Sequence, residues 1–241
     1  MTTHKTSLWK DGGVFLLLSL FLMIIIGVFL LTFSKADIHL WMNSYHTPAM
    51  DLIFRYYTLI GEWIPYVVVF ALLFYKAGWA TYLLSSIAIS GLLAQGLKYL
   101  FDTDRPLTYF HHHFPDIQLQ LVEGVHMSKF YSFPSGHTTS FFALFLVLCV
   151  LLNSHLMQTA TRYRQWLVGC IVPLTCFVWA VLGAYSRIYL SQHFLEDILG
   201  GMLLGILCTS LLFPLVSKWE NTSFWNWNFR CLLTPKQRLS R

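Results

Sequence analysis

The residues best suited to chemistry sit in three short stretches. Lys98 to Pro106 reads KYLFDTDRP and carries a lysine and an arginine seven positions apart. Pro134 to His137 reads PSGH, and Ser186 to Asp197 reads SRIYLSQHFLED, which contains Arg187, His193 and Asp197. Imidazole, guanidinium, ammonium and carboxylate groups are the parts needed to attack a phosphate and hold it. One group serves as nucleophile, one as acid, and cations neutralise the phosphoryl oxygens.

Each stretch has a physical reading of its own. Ser135 is placed to cap a helix, and Gly136 lets an anion approach the first amides, where the helix dipole is positive. His137 would then stand in the first turn beside that anion. Taken alone, PSGH reads equally well as an ordinary cap with an interfacial histidine. His193 and Asp197 are four apart and are expected to share a helix face, the carboxylate fixing one tautomer and freeing the other ring nitrogen. Alone, such a pair is more often a satisfied buried pair. Lys98, Arg105 and Arg187 singly read as snorkelling cations at a membrane edge. Three cations converging with two histidines favour a phosphate site.

The elements that must position these residues are membrane helices. Of 241 residues, 56% are hydrophobic and 11% are charged, against about 25% charged in soluble domains. The apolar residues gather into long blocks, which predicts an all-α, polytopic membrane protein. Six spans are expected: Val14–Phe33, Gly61–Tyr75, Trp79–Leu97, Gly136–Leu152, Trp166–Tyr185 and Phe194–Val216. The first is too long for a signal-peptide core and no clear small-residue cleavage site follows it. Between the first two, Ser34–Glu62 is aromatic-rich and reads as an interfacial segment, with Pro48 starting a short helix at Ala49. Lys98–Phe133 is the longest polar interruption. The chain reads as a single domain over residues 1–241, with its motif core at 98–197.

Charge sets orientation. Six spans place ten basic residues on one side: Lys5, Lys10, Lys76, Arg162, Arg164, Lys218, Arg230, Lys236, Arg238 and Arg241. Six fall on the other: Lys35, Arg55, Lys98, Arg105, Lys129 and Arg187. Both termini are therefore expected in the cytoplasm, and the three motifs at the outward ends of spans. The net charge of +5 sits mostly at the ends and in short loops, without the basic face on a soluble fold that nucleic-acid binding requires. The five cysteines are scattered, with no CxxC or zinc spacing, and read as small buried hydrophobes.

Other features are assigned to structure. His111, His112 and His113 point in different directions and lack supporting carboxylates or cysteines, so they are expected to line the loop over the site and not to bind a metal. Asp102 and Asp104 are expected to position Lys98 and Arg105 or to cap the turn. Gly201-x3-Gly205 reads as a helix-packing contact, and Arg162, Arg164 and the basic tail as anchors against anionic lipid.

K-x6-RP, PSGH and SR-x5-H-x3-D, in this order, resemble the three signature motifs of the type 2 phosphatidic acid phosphatase superfamily, with no signature position departing. The resemblance implies that His193 attacks phosphorus and becomes a phosphohistidine while Asp197 orients it. It implies that His137 protonates the leaving oxygen and then activates water. Lys98, Arg105, Ser135, Gly136 and Arg187 would bind the phosphate, with no metal and no cofactor.

The expected function is an integral-membrane lipid phosphate or pyrophosphate phosphatase, with its lipid entering sideways from the bilayer. Candidate substrates are undecaprenyl pyrophosphate, lipid A, phosphatidylglycerol phosphate and phosphatidic acid. The compact chain, with no added domain, puts the first of these ahead. A phosphotransferase passing the phosphate to a lipid alcohol uses the same site, and a lipid or anion transporter is the rival of another class. The expected location is a bacterial plasma membrane.

Overall fold

The computed structural model describes residues 6–229. Lys5, Arg230, Cys231, Lys236, Arg238 and Arg241 lie outside the described residues, as does the side chain of Arg162. Helices follow in the order α1 (Leu8–Thr32), α2 (Lys35–Met42), α3 (Pro48–Leu73), α4 (Ala77–Phe101), α5 (Pro106–His113), α6 (Gly136–Thr159), α7 (Arg162–Tyr189), α8 (Leu195–Trp219) and α9 (Ser223–Asn226). Among the described residues no strand forms. Helices α1, α3, α4, α6, α7 and α8 are long and apolar enough to cross a membrane. In lipid a helix satisfies every interior backbone group within itself, which is why apolar runs of this length fold this way.

The second span differs from its expected form. Pro48 occupies the first turn of a 26-residue helix, with the Thr47 side chain accepting from Met50 N. That helix runs through Gly61 without a break, so the aromatic stretch after residue 48 is its first half. The helix tolerates Gly61 because a Cβ there would run into the Phe141 ring of α6. Small size at that point lets α3 lie against α6. Pro65, Pro173 and Pro214 also sit inside helices that continue past them. The polar interruption after Lys98 likewise holds a helix, α5, with Pro106 at its start.

Helix α6 is the hub, packing on α1, α3, α4, α7 and α8. Its Phe141, Phe142, Leu146 and Val147 are fully buried. Between membrane helices such contacts stabilise by close packing, because lipid tails are as apolar as the side chains. Gly201 and Gly205 of α8 face the start of α6 at close approach. A Cβ on Gly201 would lie 2.6 Å from Ser135 O, and one on Gly205 2.5 Å from Thr139 O. The GxxxG spacing is therefore the contact expected from the sequence, and it joins the start of α8 to the start of α6.

The six crossings put α1's start and α8's end at one end of the bundle and the three motifs at the other. The short helix α2 caps the motif end. Its Lys35 reaches Glu196 of α8 at 3.5 Å and lies over the Tyr109 and Phe194 rings.

Candidate active site

The turn between α7 and α8 carries the central histidine. Arg187 stands in the last turn of α7, and its carbonyl accepts from Gln192 N at 2.9 Å and from His193 N at 3.2 Å. Ser191 takes a left-handed conformation (φ 50°) to let the chain fold back this way. His193 therefore precedes α8 and shares no helix face with Asp197, contrary to the spacing argument. Asp197 is the third residue of α8, and its Oδ2 turns back to accept from Phe194 N at 2.8 Å. This capping geometry carries the carboxylate to His193, whose Nδ1 lies 3.2 Å from Oδ2. The same oxygen accepts from Ser132 Oγ at 2.5 Å. A carboxylate only accepts, so Nδ1 carries the ring proton and Nε2 is left with its lone pair.

Both His193 and Asp197 are buried to 1% exposure. The His193 imidazole is held well below its ordinary value by burial, and then by the positive charges of Arg105, Arg187 and Lys98. A hydrogen bond at Ser132 opposes these effects without overcoming them. A buried imidazole facing three cations stays neutral, the form a nucleophile requires.

The cations are fixed by neutral acceptors. Arg105 donates from Nε to Phe130 O at 3.0 Å, and from Nη1 to Gln192 O at 3.2 Å and Gln192 Oε1 at 3.1 Å. Arg187 donates from Nη2 to the same Gln192 Oε1 at 3.3 Å and from Nη1 to Thr58 Oγ1 of α3. Lys98 Nζ donates to Tyr131 O at 3.1 Å. One amide thus links both guanidinium groups and anchors itself through Nε2 to His126 O at 2.8 Å. These bonds spend none of the positive charge. Lys98, Arg105, Gly136, His137, Arg187 and His193 all line one cavity of about 610 Å³. A Cβ on Gly136 would meet nothing within 4 Å, so the start of α6 is open to that cavity.

Of the expected site residues, only Ser135 and Asp197 do not line the cavity. Asp197 stands behind His193, in contact with its Nδ1. Ser135 caps α6 by accepting from Thr138 N at 3.4 Å, its N–H goes to Asp197 O at 3.0 Å, and its side chain is fully buried. His111, His112 and His113 are also absent from the lining. They end α5, where His112 Nδ1 faces Asp104 at 3.6 Å and His113 packs on Tyr109. Asp102 ends α4 in a left-handed conformation (φ 40°), its N–H returning to Lys98 O at 3.0 Å. The loop carbonyls, not these two aspartates, hold Lys98 and Arg105. Among the described residues no group of three or more His, Cys, Asp or Glu is arranged to hold a metal.

Sequence reasoning passed over Thr58, Glu62, Ser132, Gln192 and His39. Glu62 lines the cavity with Oε2 4.0 Å from His137 Nε2. His39 of α2 is buried at 1%, within 3.3 Å of Ser191 Oγ and against Phe110 and Phe194. Burial pushes its imidazole down to about 4, only partly offset by the Asp197 charge. The one available signal was chemical: a histidine in an apolar chain has to be accommodated.

Six spanning helices with a cationic, histidine-bearing cavity at one end define a membrane-embedded phosphatase. The sequence profile of the PAP2 superfamily matches residues 79–221, and the chain belongs to that superfamily. It is 25% identical over 198 residues to a lipid A 4'-phosphatase of Porphyromonas gingivalis, covering 78% of this chain and 77% of that protein. It is 39% identical over 83 residues to phosphatidylglycerophosphatase B of Bacillus subtilis, a match spanning 34% of this chain and 37% of that one. A crystal structure of a transmembrane PAP2-type phosphatidylglycerolphosphate phosphatase from Bacillus subtilis shares the fold. Its TM-score is 0.59 at 24% identity, over 89% of this chain and 99% of that one.

Proposed function

We propose that the protein removes phosphate from a lipid phosphate of the bacterial envelope through a phosphohistidine. His193 Nε2 forms the N–P bond as the ester P–O bond breaks, and protonated His137 gives its proton to the departing oxygen. Water then attacks phosphorus, His137 takes its proton, the N–P bond breaks and phosphate leaves. Asp197 keeps Nδ1 protonated and balances the charge that the ring gains on phosphorylation. Lys98, Arg105, Arg187 and the Gly136 amide hold the equatorial oxygens, the charge neutralisation that such a transition state needs.

The observation that carries this reading is the orientation of His193. Its Nδ1 is held by Asp197 at 3.2 Å while its ring lines a cavity shared with four cations. The two relatives are named for lipid A and phosphatidylglycerophosphate, which supports a phosphorylated envelope lipid as substrate. The distribution of basic residues supports cytoplasmic termini and a site at the opposite membrane face.

The test is phosphate release in detergent from a panel of lipid A, phosphatidylglycerol phosphate, phosphatidic acid and undecaprenyl pyrophosphate. The wild type should release phosphate with chelator present. His193→Ala should release none while keeping its thermal melt, and wild type quenched during turnover should carry acid-labile, base-stable phosphoprotein that His193→Ala lacks. Near-normal turnover by His193→Ala would sink the mechanism.

A further inference from the structure

We infer that Glu62 makes this site selective for phosphate monoesters over diphosphates. The inference rests on the reading of His137 as the group that protonates the leaving oxygen, and it narrows the substrate class.

Thr58 and Glu62 lie on one face of α3, four residues and about 6 Å apart along the axis. Thr58 touches Arg187, so that face runs along the phosphate cradle. Glu62 continues it towards His137, with Oε2 4.0 Å from Nε2. Among the described residues lining the cavity, Glu62 supplies the one carboxylate, against Arg55, Lys98, Arg105 and Arg187. Its charge also reaches the buried Arg187. Half of its side chain remains exposed, so no tight ion pair has consumed the charge.

The leaving oxygen must meet His137 to receive its proton. Whatever that oxygen is bonded to therefore lies within a few ångströms of Glu62. For a monoester the neighbour is a carbon, often with a hydroxyl close by, and a carboxylate accepts a hydrogen bond from a hydroxyl. For a diphosphate the neighbour is a second phosphorus carrying negative oxygens. The attack still breaks a P–O bond and His137 still protonates the bridging oxygen, but the departing phosphate faces a like charge. Repulsion at this distance in a partly screened site corresponds to about tenfold or more in rate. Leu59 and Tyr56 of the same helix also line this cavity and are exposed, which suits a leaving group that continues into lipid.

The test compares phosphatidylglycerol phosphate with undecaprenyl diphosphate, using the wild type, Glu62→Gln and Glu62→Ala in one detergent. Thermal melts confirm that each variant is folded. The wild type should favour the monoester in kcat/KM, and both variants should shift the ratio towards the diphosphate by about tenfold. A wild type that favours the diphosphate would overturn the inference. So would variants that slow both lipids equally, since Glu62 would then serve the His137 imidazole alone. Failure to release phosphate from these two and also from lipid A and phosphatidic acid would instead overturn the phosphatase reading beneath it.

Discussion

Ser132 Oγ and Asp197 Oδ2 stand 2.5 Å apart, and His193 Nδ1 lies 3.4 Å from that hydroxyl. The loop before α6 thus reaches into the pair that aims His193. Ser132 is itself pinned through its N–H to Thr103 O at 3.0 Å. Replacing Ser132 with Ala removes a charge-assisted hydrogen bond to a buried carboxylate, about 1.5–3 kcal/mol. The expected outcome is a fall in kcat of roughly tenfold to a hundredfold with a nearly unchanged KM. Steady-state kinetics on a lipid monophosphate check it, and an unaltered kcat would remove Ser132 from the aiming of His193.

Gln192 holds Arg105 and Arg187 with one oxygen. Gln192→Ala frees both guanidinium groups to move, so phosphate binding should weaken and KM should rise by about tenfold. Gln192→Glu keeps the geometry but adds an anion facing the substrate. Its kcat/KM should fall further than that of the alanine variant. If the glutamate variant proves the more active, the charge argument fails.

The pH dependence follows from His193. Its folded value lies below the ordinary 6.5 because burial and three cations disfavour the imidazolium. As the proposed nucleophile, His193 would be neutral above its folded value and lost as pH falls through it. After correction for the substrate's second ionisation near pH ~6, the limb of kcat/KM that reports the nucleophile should fall below 6.5. A limb above 6.5 would mean that the cations do not act on His193 as placed.

His39 gives a second pH effect, on stability. Its folded value is about 4 against 6.5 for the free side chain. Between these values the unfolded chain binds more protons, so stability drops as pH falls from about 6.5 towards 4. The loss amounts to roughly 3 kcal/mol once both states are protonated. Thermal melts of the detergent-solubilised protein should show this slope, and His39→Gln should flatten it. Equal slopes would count against burial as the cause.

The contact between α8 and α6 predicts a packing effect that reaches the site. Gly201→Val places a branched side chain where a Cβ would lie 2.6 Å from Ser135 O and 2.9 Å from Thr138 Cβ. The expected cost is about 1–3 kcal/mol. Because Ser135 N also donates to Asp197 O, kcat should fall with the melting point. A variant with normal activity would show that the two helix starts can shift independently of His193.

The charged groups of the site could be read directly from the chain because charge is rare in so apolar a sequence. Lys98, Arg105, His137, Arg187 and His193 meet at one cavity, as their motifs predicted. Thr58, Ser132 and Gln192 were hidden for a physical reason. They are neutral, and each matters through a partner such as Arg187, 129 residues from Thr58, or Asp197, 65 from Ser132. Among the elements, the runs of apolar residues gave five spans to within a turn or two. Helix α3 escaped because its first half carries Arg55 and several aromatics, which read as interfacial until the packing around Gly61 is seen. His193 and Asp197 were paired correctly for the wrong reason, since a capping turn and not a shared face brings them together.

Phe130, Tyr131 and Gln192 lend main-chain oxygens to Arg105 and Lys98, so the chain itself holds the cradle in shape. A receptacle held this way grips the spent product as it grips the incoming headgroup, since both present the same oxygens. Inorganic phosphate should therefore linger and compete with substrate. Where free phosphate accumulates, the protein would throttle its own turnover, and added phosphate that fails to raise the apparent KM would refute this.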